Sequence, residues 1–294
     1  MLVVIGYLIV LGSVLGAFAA GGGHLAALVQ PVELTIIGGA ALGAFTIANT
    51  PDVLKSTLKS FPILLKSNRY NKKFYIELLS ALYLLMLKIK KQGLMTIEAD
   101  IDNPKESEIF NAYPLVLKDH HVMEFLRDYL RLMVSGSADF FQMENLMDID
   151  IQTHHHEGDV IATALTRLGD GMPAFGIVAA VMGIVHTMES LGIPPNELGK
   201  LVAQALVGTF LGVLLGYGFI SPLSNLLEHK LHASTKALEC VKVALLAIIN
   251  NYSPNISIEF ARKVLYSKEK PTNADLEELL KQLKSKGQAQ PSAE

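Results

Sequence analysis

The sequence predicts an all-α integral membrane protein with four transmembrane helices and a helical cytoplasmic body. Its 294 residues are 50% apolar and 18% charged, with a mean hydropathy of +0.35, too apolar for an ordinary soluble globule. Asp, Glu, Lys and Arg are absent before Glu33 and from residues 34–51, 171–188 and 201–227. Strand-like alternation is nowhere sustained, whereas helical spacing of apolar residues recurs. The net charge of -3 offers no general attraction to nucleic acid, and none is expected as a partner. Cys240 is the one cysteine, so no intrachain disulfide can form, which suits a reducing compartment.

Crossing roughly 30 Å of hydrocarbon at about 1.5 Å per residue takes about 20 apolar residues. Residues 2–20, 32–49, 172–189 and 202–223 qualify. Ala17-Phe18-Ala19 resembles a signal-peptide cleavage site, but no Lys or Arg precedes the apolar run, so the first span is expected to stay. Residues 50–170 carry 14 of the 25 basic residues and the segment after Leu223 carries 10, against none in residues 21–31 and one in 190–200. The excess of positive charge places both termini and the middle segment in the cytoplasm. The expected organisation is two spans in residues 1–49, a helical cytoplasmic domain in 50–170, two spans in 171–224, and a cytoplasmic extension with a flexible tail in 225–294.

Within the cytoplasmic segments, Thr50-Pro51-Asp52 combines a cap, a proline suited to the first helical position and an acid placed for the helix dipole. Residues 74–91 form a helical stripe through Ile76, Leu79, Leu82, Tyr83, Met86 and Ile89, with Lys88, Lys90 and Lys91 at its end and Gly93 as the break. Residues 122–133, 140–151 and 236–250 continue in the same style. A last short helix begins at Asn273-Ala274-Asp275 and runs to about residue 284, and residues 288–294 are expected to be disordered.

In the third span, Pro173, Gly176, Ala180, Gly183 and Thr187 recur at steps of three and four, a face that wants a close neighbour. Ala205, Gly208, Gly212 and Gly216 answer in the fourth span, bordered by Thr209 and Tyr217. Such faces serve simple helix packing or a packed lining around another element, and two together favour the lining. Pro173 and Pro222 fall near the same cytoplasmic membrane level and read as a hinge, although Pro173 also suits the start of a helix.

Ionisable groups inside a membrane persist mainly for function, yet the third and fourth spans hold no central carboxylate. Glu33 and Glu189 stand at edges, and His186 is the titratable group expected well inside a span. A moving proton would need a carboxylate from a partner. His154-His155-His156 suggests a metal, but consecutive helical residues point about 100° apart and cannot share one ion, so no metal site is expected. No phosphate loop, nucleophile elbow or carboxylate pair is evident, and no catalytic residue is expected.

Several segments carry a family resemblance: Gln30-Pro31-Val32-Glu33, Asn103-Pro104-Lys105-Glu106-Ser107-Glu108-Ile109-Phe110, Asp128-Tyr129-Leu130-Arg131-Leu132, Pro173-Ala174-Phe175-Gly176-Ile177-Val178-Ala179-Ala180-Val181-Met182-Gly183, Val207-Gly208-Thr209-Phe210-Leu211-Gly212 and Gly218-Phe219-Ile220-Ser221-Pro222-Leu223. Over nearly its full length the chain resembles the MotA family of flagellar motor stator proteins. That family's wider group includes ExbB and TolQ, energisers of outer-membrane processes. Those have three spans, so four favour the flagellar branch.

The resemblance implies a multi-pass protein of the bacterial inner membrane that converts ion flow into torque. It implies a homo-oligomeric ring, a pentamer, around a MotB dimer that supplies the ion-binding aspartate, and contact with the rotor protein FliG. Pro173, Thr209, Tyr217 and Pro222 become ion-pathway and coupling positions, and Gly176, Ala180, Gly183, Gly208, Gly212 and Gly216 helix-packing positions. Lys90 and Glu98 match the rotor-contacting charges. Lysine stands at 90 where the better-known branch has arginine, keeping the charge but losing the planar fork. No cofactor is expected beyond the coupling ion, with H+ favoured over Na+. The competing readings are an ExbB/TolQ-like energiser and a membrane-anchored metalloenzyme.

Overall fold

The computed structural model describes residues 2–136, 139–189, 192 and 194–288. Among them there is no strand. The chain forms α1 (Leu2–Ala20), a 3-10 turn (Leu25–Leu28), α2 (Pro31–Ala48), α3 (Pro51–Leu65), α4 (Lys72–Gln92), a second 3-10 turn (Leu94–Ile97), α5 (Glu98–Asp102), α6 (Glu108–Asn111) and α7 (Pro114–Leu117). It continues as α8 (His120–Ser135), α9 (Phe140–Glu189), α10 (Pro195–Val213), a π-helical segment (Leu214–Ile220), α11 (Ser221–Ile249), α12 (Pro254–Val264) and α13 (Asn273–Gln288). Four helices are long and apolar enough to cross a membrane: Leu2–Ala20, Leu25–Ala48, Phe140–Glu189 and Pro195–Ile249.

The helix ends follow local chemistry. Thr50 Oγ1 accepts from the Val53 amide at 3.5 Å, with Pro51 in the first turn of α3. Asn71 and Asp119 cap α4 and α8 by accepting from the amides of Phe74 at 3.1 Å and Val122 at 3.2 Å. Gly93 ends α4 and Gly136 ends α8 at φ of 89° and 63°, conformations that a side chain would strain. The Lys230 ammonium donates to the carbonyls of Ile63, Leu64 and Lys66 at 2.5, 3.2 and 2.6 Å, meeting the negative end of α3.

The last two spans are not separate helices. The third is the far end of α9, whose 50 residues make about 75 Å of helix, far more than a bilayer's thickness. The fourth runs through α10 and the π-helical segment without a break into α11. Pro173 therefore does not begin a helix; it lies deep inside α9. Replacing one hydrogen bond and one amide is tolerated there because close neighbours hold both flanks. Asn273–Gln288 extends past residue 284, and residues 289–294 of the expected disordered tail lie outside the described residues.

Two compact units divide the chain. The membrane unit comprises the residues up to Ser67 and Glu157–Lys230; the cytoplasmic unit comprises Asn68–His156 and the residues from Leu231 on. The borders lie on the cytoplasmic side of 49/50, 170/171 and 224/225, because α3 and the membrane-proximal parts of α9 and α11 pack with the spans. The cytoplasmic core joins Phe74, Leu78 and Leu82 of α4, Leu126 and Leu130 of α8, Met147 of α9, Val241 and Leu245 of α11 and Ile258 of α12, all essentially inaccessible to solvent.

Candidate functional site

In the membrane unit, α9 and α10 approach at backbone distance. A Cβ built on Gly176 would lie 2.8 Å from the Gly208 carbonyl oxygen and 3.0 Å from Gly212 Cα. One on Gly183 would lie 2.7 Å from Ala205 Cβ, and one on Gly208 3.1 Å from Ala179 Cβ and 3.2 Å from the Ala180 nitrogen. One on Gly212 would lie 2.6 Å from the Met172 carbonyl oxygen. The two small-residue faces thus lie against each other, and their glycines are spent on this contact rather than on a surface left open to a further element. Ala180 and Thr187 are buried in the same unit, with Thr187 Oγ1 donating to the Gly183 carbonyl at 2.8 Å.

The contact continues to the prolines. Pro173 has no N–H, so it cannot donate to the carbonyl of Gly169 four residues before it. A Cβ on Gly216 would sit 2.5 Å from that same carbonyl oxygen and 3.0 Å from Pro173 Cδ. Only a glycine lets the opposing backbone lie over the carbonyl that Pro173 leaves without its helical donor. One turn further, a Cβ on Gly169 would lie 2.7 Å from Ser221 Oγ, and Ser221 precedes Pro222. The sectors around the two prolines are therefore in contact.

Gly216 and Tyr217 belong to the π-helical segment that leads into Pro222. Pro222 withholds a donor from the Gly218 carbonyl, and the wider turns before it re-register the backbone bonds. Tyr7 of α1 donates to the Phe219 carbonyl at 3.0 Å, and the two rings stand 4.7 Å apart. Thr209 is half-buried, Pro222 exposed, and Tyr217 57% exposed, so its phenol points away from the chain's own packing. His186, expected well inside a span, lies instead in the last turn of α9, exposed and 3.8 Å from Glu189. Glu33, in the first turn of α2, is 9% exposed, and its Oε2 has no hydrogen-bond partner among the described residues.

In the cytoplasmic unit, Lys90 and Glu98 are both exposed, one near the end of α4 and the other at the start of α5. The chain turns between them at Gly93. Lys88 behaves differently: its ammonium is 2.6 Å from Oδ2 of buried Asp100, whose Oδ1 accepts from Ser107 at 2.5 Å. This network turns Lys88 inward at the corner where Lys90 and Glu98 are exposed. Tyr7, Gly169, Asp100 and Ser107 were not legible as site residues. The first three lie outside every spacing pattern, and Ser107 entered only as part of the segment carrying the family resemblance.

A family model for the motility protein A N-terminal region matches residues 4–93, and one for the MotA/TolQ/ExbB proton channel family matches residues 118–240. Motility protein A of Salmonella typhimurium is 50% identical over 294 residues, covering 100% of both chains. Motility protein A of Escherichia coli K12 is 50% identical over 285 residues, covering 97% of each. The solved structure of C. jejuni MotAB superposes with a TM-score of 0.77 at 17% identity, covering 92% of this chain and 98% of that one, a likeness of fold. The full-length relatives are motility proteins, which fits the flagellar reading better than the energiser. The chain belongs to the motility protein A family, the flagellar-motor stator branch of the MotA/TolQ/ExbB proton channel group.

Proposed function

We propose that this chain is the torque-generating channel subunit of a proton-driven motor. It assembles as a pentameric ring around a MotB dimer in the bacterial inner membrane, with both termini cytoplasmic, and acts on the rotor protein FliG. The observation that carries the reading is the contact of Gly216 with Gly169 and Pro173. Two spans touch there at backbone distance where each departs from regular helical bonding, yet residues 171–188 and 201–227 offer no charged group of their own. The ion-binding carboxylate then comes from the partner, and Thr209 and the outward-facing Tyr217 border its path.

One elementary charge crossing 100 mV releases about 2.3 kcal/mol, enough to reorganise a few weak contacts at each step. Protonating the partner's aspartate removes its charge and so changes its free energy of contact with the faces carrying Pro173 and Pro222. A difference of that kind shifts the ring's preferred position. Lys90 and Glu98 ride with the cytoplasmic unit past charges on the rotor. The work is mechanical, with no covalent chemistry assigned to any side chain.

The test is swimming in a strain without its own stator pair, given this chain, a cognate MotB-type protein, or both. Motility that needs both and stops when the proton gradient collapses is the expected result. Motility that survives collapse assigns sodium as the coupling ion, and inserted proteins that never restore swimming overturn the reading. Pro173→Ala is expected to assemble in the membrane and leave cells non-motile; normal swimming would remove Pro173 from the coupling step.

A further inference from the structure

The helix that follows the second span turns its apolar side away from the protein. The span α2 ends at Ala48, and Asn49 and Thr50, both extended, redirect the chain into α3. This helix belongs to the membrane unit. The Lys230 ammonium holds its last carbonyls about two turns beyond Pro222, so both ends of α3 stay beside the cytoplasmic ends of spans.

Three stripes run along α3 at helical spacing. Thr57, Ser60 and Leu64 are buried, and the two hydroxyls donate within the helix, to the carbonyls of Val53 at 2.8 Å and Thr57 at 2.7 Å. Leu58, Phe61 and Leu65 are exposed, Leu58 by 70%. Lys55, Lys59 and Lys66 are exposed on a third side. At 3.6 residues per turn, the buried and basic stripes lie roughly 100° to either side of the apolar one.

A helix resting on a soluble body turns its apolar stripe inward. Here two hydroxylated residues face the protein and large apolar ones face out, so the outer stripe needs an apolar medium that the chain itself does not supply. The cytoplasmic leaflet is that medium at this level, because α3 starts two residues after a span. The charges select the kind of lipid. Within residues 51–67 the three lysines are opposed by Asp52 alone, which sits in the first turn, where it complements the helix dipole. Lysine stems lie along apolar surface and carry the ammonium to headgroup level, where it is attracted to anionic lipid.

We propose that α3 is a binding site for anionic phospholipid of the cytoplasmic leaflet: Leu58, Phe61 and Leu65 enter the acyl region, and Lys55, Lys59 and Lys66 bind the phosphate headgroups. The site anchors at the membrane surface the segment through which the second span leads into α4.

The experiment uses the full chain reconstituted in vesicles of phosphatidylcholine and phosphatidylglycerol. The sequence has no tryptophan, so Leu58→Trp puts a single indole on the apolar stripe, and Met95→Trp puts one on an exposed cytoplasmic turn. Bromine on the acyl chains near the headgroup should quench the first strongly and bromine at the chain ends weakly, because an interfacial helix buries its apolar face only about 5–10 Å. The second should respond to aqueous iodide and not to bromine. Spin-labelled lipids then count the bound headgroups. The unaltered chain should hold phosphatidylglycerol in preference to phosphatidylcholine. That preference should fall toward parity when Lys55→Gln, Lys59→Gln and Lys66→Gln are combined, and hold when Lys268→Gln and Lys270→Gln are. Quenching of Leu58→Trp by iodide and not by bromine would place the stripe in water, and shielding from both would place protein over it, a second copy included. Either result, or a headgroup preference that survives loss of the three lysines, overturns the proposal.

Discussion

A methyl group added at Gly212 would meet the Met172 carbonyl at 2.6 Å and Gly176 Cα at 2.8 Å, both backbone atoms that cannot swing aside. The same methyl at Gly38 of α2 would have nothing within 4 Å. Gly212→Ala is therefore expected to destabilise the detergent-solubilised protein by about 1–3 kcal/mol. Gly38→Ala should change little or stabilise by up to about 1 kcal/mol, because alanine favours helix over glycine. Thermal unfolding of the two variants side by side reads the contrast, and equal effects would mean that the α9–α10 contact does not hold the fold. Cys240 makes a second case. It is fully buried against the Ala261 carbonyl, and burial pushes its thiol up to about 12. An unfolded cysteine ionises near pH 8.5. The contribution is fully present below that value and is lost as pH rises through the folded value, since only the unfolded chain then gains the charge. Native protein at pH 9 should resist a thiol reagent that labels the unfolded chain completely, and Cys240→Ala should flatten the alkaline fall in stability.

The short elements between α4 and α8 matter more than their length suggests. Lys88, Asp100 and Ser107 tie the end of α4 to α5 and to the cap of α6, so the exposed pair Lys90 and Glu98 is presented from a braced corner. Lys88→Met leaves Asp100 buried without its cation and is expected to cost about 1–3 kcal/mol. Lys90→Ala removes an exposed charge and should stay within about 0.5 kcal/mol. If both impair swimming, hydrogen exchange around residues 88–107 distinguishes them: protection falls in the first variant and holds in the second. Equal loss of protection would place Lys90 in the brace as well. The π-helical segment is likewise an element-scale device. Wide turns before Pro222, a Tyr7 hydroxyl on the Phe219 carbonyl and a glycine against Gly169 all concern backbone groups outside the ordinary helical pattern.

At the scale of the molecule, the cytoplasmic unit is built from separated stretches of chain. Val241, Leu245 and Ile258 come from beyond residue 230, yet they share one core with Phe74, Leu78 and Leu126. A chain ending at Lys230 keeps every span and loses about a third of that core. Its residues 68–156 are expected to become protease-sensitive, whereas the membrane unit still inserts. Resistance equal to that of the full chain would show the first stretch to be self-sufficient.

How much of this could be read from residue order depends on the range of the interaction. The spans, the cap at Thr50, the start of the last helix at Asn273 and the break at Gly93 were legible, because each rests on apolar length or on contacts within one turn. Pro173, Gly176, Gly208 and Gly216 stood out by helical spacing, but the spacing was silent on what they face. It favoured a lining around another element, whereas the glycines of α9 and α10 close on one another. The alternative that Pro173 begins a helix fails for a related reason: a proline costs a helix a few kcal/mol locally, and packing across the α9–α10 contact outweighs that cost. Tyr7 with Phe219, and Lys88 with Asp100, join positions far apart or on separate turns of the chain. Residue order determines which face of a helix each side chain takes, through the fixed 3.6-residue turn; which neighbour waits there is decided by how the helices pack.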